Sequence, residues 1–120
     1  MAQRDGGLVV TGAWVTPADR VRWQRRAAGE LAAILAAYPD VPVIAWTVTA
    51  SGGSLSGQVL GPAAARRGLF GAWRQALRLG EVTETPSASG AAIYLHARAM
   101  RNGVPVSVTA TVFPGDEVTA

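Results

Sequence analysis

The chain contains no cysteine and no lysine, and it has a single histidine, His96. The missing thiol removes disulfides, cysteine nucleophiles and thiolate metal sites together. One histidine without cysteine leaves no basis for a zinc centre, which needs three or four converging ligands. The carboxylates Asp19, Glu30, Asp40, Glu81, Glu84, Asp116 and Glu117 are scattered and do not repeat at ligand spacing. No apolar run is long enough for a secretory signal or a membrane span. No serine lies in a nucleophile elbow, so a Ser-His-acid arrangement around His96 has no local support. Glu81 and Glu84 would be neighbours on a helix, but Thr and Pro around them argue against a frame rigid enough for acid-base work. "SGGSLSG" lacks the lysine and following helix of a phosphate-binding loop, and it reads as a hairpin turn. "GPAAARRG" offers only a generic helix-start anion site. These observations predict no catalytic residues, no cofactor and no metal.

What is present favours a folded core. A chain of 120 residues fits one domain, 1–120, and buries a core without staples. Residues 1–7 and 115–120 are expected to be flexible ends. All eleven basic residues are arginine, and the net charge is +3. With abundant alanine, glycine and valine, this is what a GC-rich coding bias produces. Arginine also suits phosphate recognition, but a charge of +3 does not choose between the two. A cysteine-free chain without a signal or span fits a soluble, cytoplasmic setting.

Thr16, Pro17 and Asp19 mark a helix start with a capping box. From Pro17 to about Tyr38, residues Trp23, Ala27, Leu31, Ile34, Leu35 and Tyr38 share a face at helical spacing. Arg22 and Arg25 lie opposite, with Arg26 near the boundary. Pro39 and Pro42 end the helix. The stretch "VIAWTVTASGGSLSGQVL" predicts a hairpin centred on Gly52-Gly53. That centre pairs Ala50 with Leu55, Val48 with Gly57 and Trp46 with Val59 on one face, and Thr49 with Ser56 and Thr47 with Gln58 on the other.

A second helix follows, with Pro62 in its first turn and Gly80 as its C-terminal cap. Leu69, Phe70, Trp73, Ala76 and Leu77 form its core face, and Arg67, Arg74 and Arg78 its exposed sector. Arg66 points toward the apolar side and is expected to snorkel. The segment "EVTETPSASG" reads as a mobile connector. Last comes "IYLHARAMRNGVPVSVTATV", in which Asn102-Gly103 is a strong hairpin turn. Its register pairs Ile93, Leu95, Ala97 and Ala99 with Val112, Ala110, Val108 and Val106. The reverse face then pairs Tyr94 with Thr111, His96 with Thr109 and Arg98 with Ser107.

The expected fold is α+β, a two-layer sandwich of order (β)αββαββ. Two helices pack on one face of a largely antiparallel sheet. If "LVVTGAWV" adds a leading strand, the order becomes ferredoxin-like with an added strand. "RWQRRAAGELAAIL", "VIAWTVTASGG", "FGAWRQALRL" and "VSVTATVFP" resemble stretches of small uncharacterised actinobacterial proteins. That resemblance implies a bacterial cytoplasmic origin and carries no chemistry.

Two surfaces are the candidates for work. One is the pair of basic patches, Arg22, Arg25 and Arg26, and Arg67, Arg74 and Arg78. Duplex nucleic acid needs such charge, although no helix-turn-helix joins the two helices. The other is the open sheet face carrying Tyr94, His96, Arg98, Thr109 and Thr111. It suits a protein partner, including a second copy that would pair through this face or through an edge strand, or a single-stranded nucleic acid stacked on its aromatic ring. A non-enzymatic interaction protein is the leading expectation, with nucleic-acid binding as the alternative.

Overall fold

The computed structural model describes residues 15–49 and 53–117. Helix α1 runs Pro17–Ala37. Its start is the expected capping box: the Asp19 amide donates to Thr16 Oγ1 at 3.1 Å, and the Thr16 amide to Asp19 Oδ2 at 3.0 Å. The Thr16 backbone amide and hydroxyl, and then Arg22, hold the Asp19 carboxyl below its ordinary pKa. Strands β1, Ala45–Val48, and β2, Leu55–Gln58, follow. A 3-10 turn, Ala63–Ala65, leads into α2, Arg66–Leu77. Then come β3, Thr83–Pro86, β4, Ile93–Arg101, β5, Val104–Val112, and the short α3, Pro114–Glu117.

The five strands form one sheet in the order β1-β2-β5-β4-β3. Three of its four contacts are antiparallel, and β2 with β5 is parallel. It follows that β3 runs parallel to β2. Helix α2 is therefore the crossover of a βαβ unit that has β5 and β4 inserted between its strands. The core gathers on one sheet face. Leu55, Leu95, Ala97, Val106, Val108, Ala110 and Val112 meet Ala27 and Ile34 of α1 and Phe70, Trp73 and Leu77 of α2. Val104, Val106, Val108 and Val112 have no exposure at all. Each such side chain contributes about 1.5–3 kcal/mol through burial. The α+β, helices-on-one-face expectation holds at this level.

The β4–β5 register is the expected one at every pair from Ile93↔Val112 to Ala99↔Val106. Asn102 and Gly103 both have positive φ, 52° and 80°, as a tight primed turn requires. The β1–β2 register differs by two residues: Val48 faces Leu55, Trp46 faces Gly57 and Thr47 faces Ser56. The Gly-Gly pair is not the whole loop. Thr49 and Ser54 close it, with the Thr49 amide donating to the Ser54 carbonyl at 2.9 Å and the two hydroxyls 2.8 Å apart. A shift of two keeps every side chain on its expected face, because the strand period is two. Ala50, part of the expected pairing, lies outside the described residues.

Two glycines are fixed by space. A Cβ on Gly53, where φ is +62°, would come 2.5 Å from Trp23 Cβ. A Cβ on Gly57 would meet Ile44 Cδ1 at 2.7 Å and the Trp46 ring at 3.1 Å. Gly57 thus lets the Trp46 ring lie across its strand.

Other expectations are corrected. The 81–90 connector contains β3, whose four residues pair with Pro86↔Ile93 through Thr83↔His96. The element order among the described residues is therefore αββαβββ with a closing helical turn. That turn is Pro114–Glu117; of the ends expected to be flexible, residues 1–7 and 118–120 lie outside the described residues. The ferredoxin-like order needed a strand from residues 8–15. Of these, 8–14 lie outside the described residues, and β2's inner neighbour is β5. Helix α2 is capped by Arg78, not by Gly80: Arg78 itself takes the left-handed conformation, φ 55°. Arg66 does reach along the apolar edge, donating to the Gly61 and Thr111 carbonyls at 3.0 and 3.2 Å. On α1, Leu35 is not core but half exposed, while Glu30 is buried.

Candidate functional site

With α1 and α2 on one side, no described element packs on the other face of the sheet. Side chains alternate along β4, so Leu95 and Ala97 enter the core and Tyr94, His96 and Arg98 point away from it. The register sets their neighbours. Tyr94 stands between Thr85 of β3 and Thr111 of β5, His96 between Thr83 and Thr109, and Arg98 beside Ser107. Ser56 and Gln58 of β2 and Thr47 of β1 continue these rows. Tyr94 and Arg98 are exposed, whereas His96, Thr109 and Thr111 are half-buried.

All five expected face residues are therefore brought together, and Thr83 and Thr85 join them. Strand β3 supplies those two, although its sequence Thr-Glu-Thr-Pro, without apolar alternation, predicts a connector. Its Glu84 turns the other way, toward the helices, where Arg67 Nη1 approaches Oε2 at 3.5 Å. The described residues of the bare face thus include an arginine, a histidine and a row of hydroxyls, and no carboxylate. The side chains of Tyr94, His96 and Arg98 have no hydrogen-bond or ion-pair partner among the described residues. A shallow hollow of about 160 Å³ lies beside them, lined by Ser54, His96, Arg98, Pro105 and Ser107.

The basic patches are less coherent. Arg22 is paired with Asp19 across one helical turn. Arg67 meets Glu84, and Arg74 Nε donates to the Gly80 carbonyl at 2.9 Å. Arg78 caps the helix with its backbone alone, its amide donating to the Arg74 and Gln75 carbonyls. Of the six patch side chains, those of Arg25, Arg26 and Arg78 remain exposed and without a hydrogen-bond or ion-pair partner among the described residues. Glu30, Asn102, Arg101 and Tyr38 form a further cluster, not expected from the sequence. The buried Glu30 accepts from Asn102 Nδ2 at 2.8 Å and from Arg101 Nε at 3.4 Å. The Arg101 guanidinium also lies 6.0 Å from the Tyr38 ring centroid. This cluster ties α1 to the β4–β5 turn. Glu30 falls three residues from Ala27 and four from Ile34, which is the signal that could have placed it inward.

No three His, Asp or Glu side chains among the described residues could share a metal ion. No helix among them is long and apolar enough to cross a membrane. The chain matches no protein-family model and no curated protein at a significant level.

Proposed function

We propose that the chain is a small non-enzymatic interaction protein that associates with itself through its sheet. The observation that carries this is the sheet's incompleteness: among the described residues one face and the β1 edge are uncovered, and the helices pack only on the other face. On the face opposite the helices, Tyr94 and Arg98 are residue types common at the centres of protein contacts. Two copies of one chain meet most simply about a two-fold axis. Light scattering over a wide concentration range is expected to give twice the 12.4 kDa chain mass. A monomer at every concentration would end this reading.

The carboxylate-free charge of the bare face supports a second reading, a single-stranded nucleic acid stacked on Tyr94 with phosphate at Arg98. Oligonucleotide binding would then weaken with salt. Tyr94→Ala would cost about 1–3 kcal/mol of binding, and Arg22→Glu with Arg25→Glu would matter less. No shift at low salt sinks it. A cytoplasmic, actinobacterial origin belongs to the same proposal. It is supported by the cysteine-free, arginine-only, alanine-rich composition and by the resemblance described above.

A further inference from the structure

The two outer strands of the sheet are guarded differently. Strand β3 carries Glu84 and Pro86, a charge and a residue without an amide, which discourage further strand pairing. Strand β1, AWTV, has neither. Its hydrogen-bonding phase is set by Thr49, which bonds inward to Ser54. Pairs alternate along an antiparallel ladder, so Thr47 and Ala45 also bond inward to β2. The amides and carbonyls of Trp46 and Val48 therefore point outward, along an edge that no described strand pairs with.

Beside that edge the surface is apolar. From Leu31 to Ala37, α1 reads LAAILAA, and Ala32, Ala33, Leu35, Ala36 and Ala37 are all exposed. Val43, just before β1, is 92% exposed and Leu35 50%. Both line a hollow of about 120 Å³ with Tyr38, Val41 and Trp46. A helix that is apolar all round is ordinarily covered.

We infer that a second copy of the chain covers it, with the two β1 edges paired antiparallel into one continuous ten-stranded sheet. This rests on the proposed self-association and names its surface as the edge, not the bare face. Charge supports a second copy. The arginines of α1 are confined to positions 20–26, and its last turn carries no basic residue. A two-fold axis through β1 lays the arginine-bearing half of one α1 beside the C-terminal half of the other. That end holds the negative end of the helix dipole and the exposed Asp40.

The test is light scattering on the full chain and on two sets of variants. Val43→Glu places a charge in the interface at a position exposed in the monomer. Val48→Pro removes an outward amide that the monomer does not use. Both are expected to halve the mass while circular dichroism stays native. Tyr94→Ala and Arg98→Ala, on the bare face, are expected to leave the dimer intact. A dimer lost with Tyr94→Ala or Arg98→Ala, but kept in Val43→Glu and Val48→Pro, overturns the edge and leaves self-association standing. A monomeric wild type overturns both.

Discussion

Trp73→Ala is expected to be the most destabilising single truncation in this protein, at about 3–5 kcal/mol. Trp73 is only 2% exposed. Its Nε1 donates to the Pro42 carbonyl at 2.6 Å, and its ring meets Trp46 edge-on, with centroids 5.5 Å apart and planes at 83°. Pro42 lies where the chain leaves α1 and approaches β1. One side chain of α2 therefore fixes the junction between the other helix and the edge strand. Truncation opens a cavity and also leaves the Pro42 carbonyl without that donor. Against a total stability of about 5–15 kcal/mol, this is a large share. A thermal melt should fall by about 10–20 °C.

The contrasting variant is Trp46→Phe. The Trp46 indole N–H is buried and has no acceptor among the described residues. An orphaned donor costs about 1–3 kcal/mol. Replacing it with a phenyl ring removes the orphan while losing some packing, so the net change should be within about 1 kcal/mol. If Trp46→Phe proves as damaging as Trp73→Ala, the assignment of Trp73 as the junction pin is wrong.

Glu30→Ala is the second large effect, at about 2–3 kcal/mol. The Glu30 side chain is 7% exposed and accepts from both Asn102 and Arg101. Hydrogen bonds to a charged group are worth more than neutral ones. Loss of the carboxylate leaves two donors at the β4–β5 turn facing a small cavity. Glu30→Gln keeps the shape and one acceptor, so it should cost about half as much, with Arg101 free to turn toward water. Denaturant midpoints measure the order Glu, Gln, Ala. An unchanged midpoint in Glu30→Ala would mean that α1 is held by its apolar contacts alone.

The β4–β5 hairpin was legible because three signals agree there. Asn102-Gly103 fixes the turn, one face is unbroken apolar, and the other pairs polar groups. The β1–β2 hairpin had the same two-sided pattern but a looser turn, so its faces were legible and its register was not. Side-chain alternation cannot detect a slip of two. Strand β3 was illegible because its exposed Thr-Glu-Thr-Pro has no apolar alternation; only its pairing with β4 makes it a strand. Helical periodicity located the apolar face of α1 but missed Glu30 within it. Nor could it show that Leu35, in the same stripe, lies beyond the edge of the sheet. Periodicity tells which side of a helix is apolar, and the width of the layer beneath decides how much of that side is covered.

The parallel contact between β2 and β5 has a consequence for how the molecule comes together. Each hairpin, β1–β2 and β4–β5, is a local object whose pairs lie close in sequence. The seam between them joins Leu55 to Val106, 51 positions away (106 minus 55), and spans only four residue pairs. Its closure must wait until α2 and both hairpins are in place, because the entropy of so long a loop is recovered only by contacts made on arrival. The seam is thus the late step of assembly, and until it forms the inner edges of both hairpins are open to pairing with other chains. The sequence keeps those edges short on one side and rich in small and β-branched residues on the other. The interval before closure, more than the finished fold, is where this protein is exposed to aggregation.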